Sequence, residues 1–426
     1  MSSRALAWDC NENRIWKLAA IAVRPLQLGL AFPSILYLLA MTAFLFRPPD
    51  LFSFYADRIA FALLLFFVAL RILASRESIP FFHGISLPML CLAGLSVFRA
   101  LRDPYEPQNW SMVASKYIVP FALFHISAII FRSERTRRHF ELFSICALAY
   151  LVFTAIAFIT DARFLIFPKF ILDQSLGFHA DRARGPFLQA VANGVSINIL
   201  GIMLLAFHRK FTLWKVVIGL ALPLAILATM TRAVWISFAA SSLVLTYRVV
   251  KNRVRLTLVL LAITFAFLTL GLSFCNHSSA SALLDRIEER GPVQARMAVY
   301  EAGWAMFREH PLTGWAAHGM YSELGRRMSG YHLKLFYVHN TYLALLVEFG
   351  LPGLLLYSLL FANLFRIGWN GPAQQSESLS SLRKVWPVIL GVYLFNAFFV
   401  DMAYQFVIGL VFTVAGILCA RGEVEA

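Results

Sequence analysis

Two arginines far apart along the chain have the type and the setting that anion binding requires. Arg184 directly precedes the sequence Gly185-Pro186-Phe187, and Arg232 follows Thr231; each stands at the beginning of an apolar stretch. A guanidinium group is permanently charged and offers a planar fork of donors that matches phosphate oxygens. The pair therefore favours a site for a lipid-linked diphosphate, and snorkelling of each arginine to lipid headgroups is the structural alternative.

His339 is the candidate for proton transfer. It begins the sequence His339-Asn340-Thr341-Tyr342-Leu343 at the start of a further apolar stretch, and Gly350 follows eleven residues later. That spacing is about three helical turns, so it predicts His339 and Gly350 on one helix face, where a glycine permits close approach of a neighbouring helix or lipid. A neutral imidazole at a membrane–water boundary can accept a proton, although a lone interfacial histidine is also common as a structural residue.

Glu348 is expected inside the membrane, where an ionisable side chain needs a partner or a cavity. It follows His339 by nine residues, which is about 2.5 helical turns and places the two on opposite faces. This spacing argues against a Glu–His dyad. A buried structural pairing is the predicted role of Glu348.

Acidic and cysteine residues do not form a metal-binding pattern in the sequence. The compact acidic pair of the short loops is Asp103 with Glu106, and there is no DxD pair, HExxH motif or Cys/His cluster. The five cysteines show no CxxC spacing and support neither a zinc site nor a disulfide framework. We therefore expect metal-independent chemistry, in which arginines supply the positive charge.

The elements that must position these residues are transmembrane helices. The chain has 426 residues, of which 59% are apolar and only 14% charged, whereas about a quarter of an ordinary soluble domain is charged. Apolar stretches of about 20 residues recur, and each is long enough to cross the hydrocarbon core. The sequence predicts an all-α polytopic membrane protein. The net charge of +15 does not indicate nucleic-acid binding, because the basic residues lie in short clusters between apolar stretches.

Twelve spans are predicted from the hydrophobic pattern. They lie at 28–46, 56–73, 84–101, 112–131, 139–160, 187–207, 213–230, 232–247, 255–274, 338–365, 384–400 and 402–420. With cytoplasmic tails at 1–27 and 421–426, the cytoplasmic segments hold 21 Lys and Arg residues against 10 outside, once the long loop is left out. The domain order is then spans one to nine at 28–274, a periplasmic loop at 275–337, and spans ten to twelve at 338–420.

Two predicted outer segments, 161–186 and 275–337, are long enough to carry function. The second is predicted to contain a helix at 293–309, ended by His310-Pro311-Leu312-Thr313-Gly314. In this helix an apolar stripe recurs at spacings of three and four residues, formed by Met297, Tyr300, Trp304 and Phe307. We expect the helix to lie on the outer membrane surface.

The order of these motifs resembles the O-antigen ligase family of bacterial inner-membrane proteins. The resemblance rests on four segments, Arg296–Trp304, His310–Gly314, His339–Leu343 and Glu348–Gly353. It implies a membrane glycosyltransferase architecture of the GT-C-like kind, with the active site facing the periplasm. The implied activity is metal-independent, inverting transfer of a glycan from undecaprenyl diphosphate to lipid A-core, without a cofactor.

The resemblance also implies the roles of individual residues. His339 would act on the acceptor hydroxyl, and Arg184, Arg232 and Arg296 would bind the diphosphate, with Asn340 and Gly350 in support. The expected partners are the undecaprenyl-diphosphate-linked glycan, lipid A-core and membrane lipid, and no nucleic acid. O-antigen or exopolysaccharide polymerases and protein O-oligosaccharyltransferases share these motifs and remain alternatives. A transporter or flippase for lipid-linked glycans is the alternative of a different class.

Overall fold

The computed structural model of the chain describes residues 32–47, 56–75, 78–177, 179–207, 213–249, 291–316, 319–328, 338–369 and 377–420. Within these ranges every regular element is a helix. The predicted span 255–274 and the predicted tails 1–27 and 421–426 lie outside the described residues. A helix occupies each of the other predicted spans.

The described α-helices are numbered in chain order. They are α1 (Pro33–Leu45), α2 (Ala56–Ser75), α3 (His83–Arg102), α4 (Pro107–Val113), α5 (Val119–Ile130), α6 (Glu134–Ile159), α7 (Ala190–Phe207), α8 (Leu213–Ala228), α9 (Arg232–Val249), α10 (Gly291–Glu309), α11 (Met320–Arg327), α12 (Thr341–Ile367), α13 (Glu377–Ala397) and α14 (Gln405–Cys419). A π-helical turn, Ala114–Ile118, joins α4 to α5.

The composition of the helices shows a multi-pass α-helical membrane protein. Six helical segments of the described chain are long and apolar enough to cross a membrane: Ala56–Ser75, His83–Arg102, Asn109–Ile130, Glu134–Ile159, Ala190–Phe207 and Thr341–Ile367. The prediction of a polytopic helical membrane protein is confirmed. The number of twelve spans and the GT-C-like arrangement stay predictions.

The main core surrounds α14, which is buried on all sides from Phe406 to Leu418. Small residues permit this packing, since a Cβ added at Gly416 would collide with the backbone of α5 at Phe124. The Tyr37 hydroxyl of α1 lies 2.5 Å from Thr413 Oγ1 of α14. These close contacts bind α1, α5 and α14 into one bundle.

A second, smaller core is formed by α10, α11 and the first turns of α12. The face of α10 that packs against α12 carries Val299, Ala302 and Met306. The stripe expected from the sequence was different: Met297 is 53% exposed and Trp304 is 48% exposed. The helix therefore has two apolar faces, and the one that faces α12 was not predicted.

Candidate active site

His339 lies immediately before α12, and the residue after it caps that helix. The Oδ1 atom of Asn340 accepts hydrogen bonds from the backbone N–H groups of Tyr342 at 2.9 Å and Leu343 at 3.1 Å. An N-terminal cap of this kind satisfies donors that have no partner within the helix. Asn340, predicted as a supporting residue, thus fixes the direction in which the chain enters α12 from His339.

Tyr300 of α10 holds the backbone of His339. Its hydroxyl donates to the carbonyl oxygens of His339 at 3.1 Å and Phe398 at 3.0 Å. Phe398 belongs to the connection between α13 and α14, and its ring lies 4.4 Å from that of Tyr342. The Tyr300 hydroxyl therefore links α10, the backbone of His339 and the connection between α13 and α14.

Thr341 makes a second link to the same connection. Its Oγ1 atom donates to the carbonyl of Val400 at 3.0 Å and accepts from the N–H of Met402 at 3.0 Å. The side chain is buried. With Tyr300, it holds the start of α12 against residues 398–402.

The charges around His339 favour a neutral imidazole. The pKa of His339 is lowered, first by desolvation and then by the positive charges of Arg296 and His179. The side chain is nevertheless exposed, so a substrate can reach it. A neutral imidazole in this position can accept a proton. Arg296 lies four residues before Tyr300, on the same side of α10.

Arg184 is buried, and backbone carbonyls occupy its guanidinium group. Only 1% of the residue is exposed. Its Nε atom donates to the carbonyl of Ile171 at 2.9 Å, and its two terminal nitrogens donate to the carbonyls of Asp173 and Leu176. Charge-assisted bonds of this kind are strong. In this structure Arg184 organises the segment before α7 and does not face an open site.

The Arg184 segment and the turn before Arg232 are nevertheless neighbours. The N–H of Ala183 donates to the carbonyl of Ala228, the last residue of α8, at 2.9 Å. Asn193 of α7 donates to the carbonyl of Ala183 at 2.8 Å. Arg232 is the first residue of α9 and is half-buried. The structure therefore brings together two segments that the sequence separates by almost fifty residues.

Gly350 interrupts α12, which the sequence predicted as one continuous helix through this point. Its φ of 68° and ψ of −162° are accessible to glycine and strained for other residues. A Cβ added at this position would lie 2.5 Å from the carbonyl oxygen of Pro311. The N–H of Leu351 donates to the same oxygen at 2.8 Å. Close approach at Gly350 was predicted, but the partner is the turn after α10 rather than a helix or lipid.

Glu348 is part of a buried ion network. Lys116 Nζ lies 3.1 Å from Glu348 Oε1 and 2.6 Å from Asp401 Oδ2, and the Tyr117 hydroxyl donates to Glu348 Oε2 at 3.3 Å. The predicted structural pairing of Glu348 is confirmed. Lys116 lies in the π-helical turn. A lysine within an apolar stretch is a signal that could have identified it from the sequence.

No cluster of three His, Cys, Asp or Glu side chains with metal-binding geometry occurs within the described ranges. The charged groups that lower the pKa of the candidate base are Arg296 and His179. His179 was not singled out from the sequence, because an isolated histidine in a loop carries no spacing signal.

A protein-family model matches part of the chain. No curated protein matches it significantly. Residues 216–358 match the family model described as O-Antigen ligase, Wzy_C. The matched range contains Arg232, Arg296, His339 and Gly350, and Arg184 lies before it. This part of the chain is therefore similar to the O-antigen ligase family, whose members are glycosyltransferase-like membrane enzymes.

Proposed function

We propose that this protein transfers a glycan from undecaprenyl diphosphate to lipid A-core at the periplasmic face of the bacterial inner membrane. The observation that carries the proposal is an accessible histidine, His339, which is held by its backbone beside Arg296 within an O-antigen ligase domain. This combination provides a proton acceptor and a positive charge that acts on it.

In the proposed reaction His339 takes the proton of an acceptor hydroxyl. The hydroxyl oxygen forms a bond to the anomeric carbon of the donor glycan, from the side opposite the diphosphate, so that the configuration is inverted. The bond between that carbon and the phosphate oxygen breaks, and its electron pair leaves with the diphosphate. The negative charge that develops there is stabilised by Arg296 and Arg232. Undecaprenyl diphosphate is released, and the proton leaves through His339.

For Arg184 we propose a positioning role. Its guanidinium nitrogens hold the backbone at Ile171, Asp173 and Leu176, and the adjacent Ala183 is hydrogen-bonded beside the turn that leads to Arg232. The direct diphosphate contact expected from the sequence would require these carbonyls to be released. Removal of Arg184 would therefore disturb the diphosphate site through its supporting backbone.

A complementation experiment tests the function. In a bacterial strain without its own O-antigen ligase, the gene should restore high-molecular-weight lipopolysaccharide ladders. His339→Ala should remove them at equal membrane levels, because loss of a general base lowers rates by about 10²- to 10⁴-fold. His83→Ala is the matched control, since His83 is an exposed histidine at the start of α3. Full ladders from His339→Ala would refute the assigned base.

The same experiment separates the alternatives within the family. A change confined to the length distribution of the polysaccharide would indicate a polymerase, and glycosylated proteins without lipopolysaccharide ladders would indicate a protein O-oligosaccharyltransferase. Purified protein with a lipid-linked glycan and lipid A-core should form product in the presence of a chelator. Movement of the lipid-linked glycan across a vesicle membrane without product would indicate a flippase.

A further inference from the structure

A polar cavity lies apart from His339, where α3, the π-helical turn, α11 and α12 meet. It has a volume of about 50 Å³ and is open on one side to the surroundings. Its lining residues are Ser96, Arg99, Ala100, Asn109, Met112, Val113, Lys116, Tyr117, Met320, Tyr321, Glu348 and Phe349. None of the residues assigned to glycan transfer belongs to this lining, so the cavity needs a separate explanation.

Arg99 is the charged group of the cavity in which one nitrogen lacks a hydrogen-bond acceptor. Its guanidinium carbon lies 4.9 Å from the centre of the Phe349 ring, and its Nη2 atom is buried without a hydrogen-bond partner. A buried charged donor without an acceptor is costly, and native proteins usually supply a partner or a ligand. An anionic oxygen would satisfy this nitrogen.

The other charged groups of the cavity are bound to one another, with one lysine between two carboxylates. Lys116 is shared by Glu348 at 3.1 Å and Asp401 at 2.6 Å, and Tyr117 donates to the second oxygen of Glu348. Both hydrogen-bonding partners of Glu348 lie in the π-helical turn, and Glu348 attracts Arg99 electrostatically without a hydrogen bond to its Nη2 atom. The positive charge available to a ligand is that of Arg99.

The rest of the lining suits the ring of a sugar or a hydrocarbon body. Phe349 is buried, and Met320 of α11 is 3% exposed. The Tyr321 hydroxyl lies 3.4 Å from the sulfur of Met112, which holds α11 over the cavity. Sites for small molecules combine an apolar or aromatic wall with a few fixed polar groups. The lining therefore fits an anionic group carried on a larger, partly apolar molecule.

We propose that this cavity binds an anionic substituent, a phosphate or carboxylate, on a sugar of the acceptor glycan. The proposal rests on the proposed function. From Thr341 to Phe349 the axis of α12 rises by about 12 Å, which corresponds to a few sugar units between the reacting hydroxyl at His339 and the charged sugar. The cavity would thereby select acceptors that carry the charge at the correct distance from the reacting hydroxyl.

Binding to the intact chain in phosphatidylcholine nanodiscs tests the cavity directly. The probes are glucose 6-phosphate, glucuronate, glucose and inorganic phosphate. We expect both anionic sugars to bind at least about tenfold more tightly than glucose, as one charged hydrogen bond provides. Arg99→Gln should remove that difference. Arg102→Gln is the matched control, because Arg102 is exposed three residues later on α3, and it should preserve the difference.

Several results would overturn the proposal. These are equal affinity for glucose and glucose 6-phosphate, no loss in Arg99→Gln, or equally tight binding of inorganic phosphate alone. Loss of sugar-phosphate binding in phosphatidylglycerol nanodiscs would assign the cavity to a lipid headgroup instead. If Arg99→Gln does not fold, Met112→Trp provides the second test, since it should fill the cavity, retain Arg99 and abolish binding of the anionic sugars.

Transfer assays separate this proposal from the proposed function. With a phosphorylated acceptor, Arg99→Gln should raise the KM for the acceptor at least about tenfold and leave the KM for the donor unchanged. If the protein binds sugar phosphates through Arg99 but transfers no glycan, the proposed function is refuted and the anion-binding role of the cavity is supported. If transfer depends on His339 and Arg99→Gln has the same KM for the acceptor as the unchanged protein, the proposed function is supported. The anion-binding role of the cavity is then refuted.

Discussion

At the scale of the residue, the candidate base combines a fixed backbone with an accessible side chain. The carbonyl of His339 is held by Tyr300, and the following residue, Asn340, caps α12. The imidazole remains exposed. A proton acceptor needs this combination, because its position must be constant while its nitrogen meets a substrate.

The charge of Arg296 should set the pH range of the reaction. Arg296 contributes to the lowered pKa of His339, so Arg296→Gln should raise that pKa. The acidic limb of the rate profile should then move to higher pH, because a larger fraction of His339 is protonated and inactive at low pH. The measurement is the transfer rate against pH, with Arg308→Gln, an exposed arginine of the same helix, as control.

The pKa of His339 can also be followed without the proposed reaction. Carbethoxylation by diethyl pyrocarbonate requires a neutral imidazole, and mass spectrometry of the peptide with His339 gives its extent at each pH. Arg296→Gln should shift this modification curve to higher pH. Coincident curves for the two proteins would show that Arg296 does not control the charge of His339.

At the scale of the element, the important feature is the break in α12. The turn that follows α10 replaces the missing helical hydrogen bonding at Gly350, since Leu351 donates to Pro311 and Trp315 donates to Val347, both at 2.8 Å. The first part of α12 consequently packs in the second core through its own residues Leu343 and Val347. Only the part after Gly350 continues as an uninterrupted apolar helix.

Gly350→Ala should destabilise the protein. The new Cβ would meet the Pro311 carbonyl, and the positive φ alone costs about 1–3 kcal/mol for a residue other than glycine. The thermal unfolding temperature in detergent should fall, and transfer activity should fall with it because the start of α12 carries His339. Gly391→Ala is the matched control, since a Cβ there meets open space. Equal unfolding temperatures for the two variants would show that the break is not required.

At the scale of the whole molecule, two hydrophobic cores are joined by polar contacts. Tyr300 and Thr341 tie the smaller core to the connection between α13 and α14. Asp401 in that connection pairs with Lys116, and Lys116 also holds Glu348 of α12. The position of His339 therefore depends on contacts among α10, α12, the π-helical turn and the connection between α13 and α14.

Tyr300→Phe tests this dependence. The substitution keeps the ring and removes the single O–H donor that the two carbonyls share, a contribution of about 1 kcal/mol. We expect the transfer rate to fall about tenfold and the KM for the donor to stay unchanged. The pKa of His339 should rise as its backbone moves away from Arg296. Tyr247→Phe, at an exposed tyrosine of α9, should have no effect, and an equal loss in both variants would contradict the positioning role.

Much of the architecture follows from the sequence, because apolar stretches of about 20 residues predict the membrane helices without knowledge of their neighbours. The motif order indicated the O-antigen ligase resemblance, which the match at residues 216–358 supports, and the shared site of Arg296 and His339 stays a prediction. The contacts that hold the site were not predictable in this way. Lys116 and Asp401 are 285 residues apart, and a tyrosine that donates to two carbonyls, as Tyr300 does, leaves no pattern in the sequence.

Arg184 is the clearest example of a role that the sequence alone does not predict. Its residue type and its place before an apolar stretch suit a phosphate ligand, and the same properties suit an arginine that binds backbone carbonyls. The structure shows the second arrangement. Burial, which separates the two possibilities, depends on how the segment from Ile171 to Leu176 folds over the guanidinium group.

The break at Gly350 also determines how far His339 stands from the lipid. The 17 residues from Leu351 to Ile367 continue α12 after the break, and at 1.5 Å per residue they extend over about 26 Å, close to the hydrocarbon thickness of a bilayer. If that part alone crosses the hydrocarbon, the turns before the break extend beyond the acyl chains into the hydrated layer. In the proposed orientation, sugar hydroxyls and a pyrophosphate can reach the imidazole there without entering hydrocarbon.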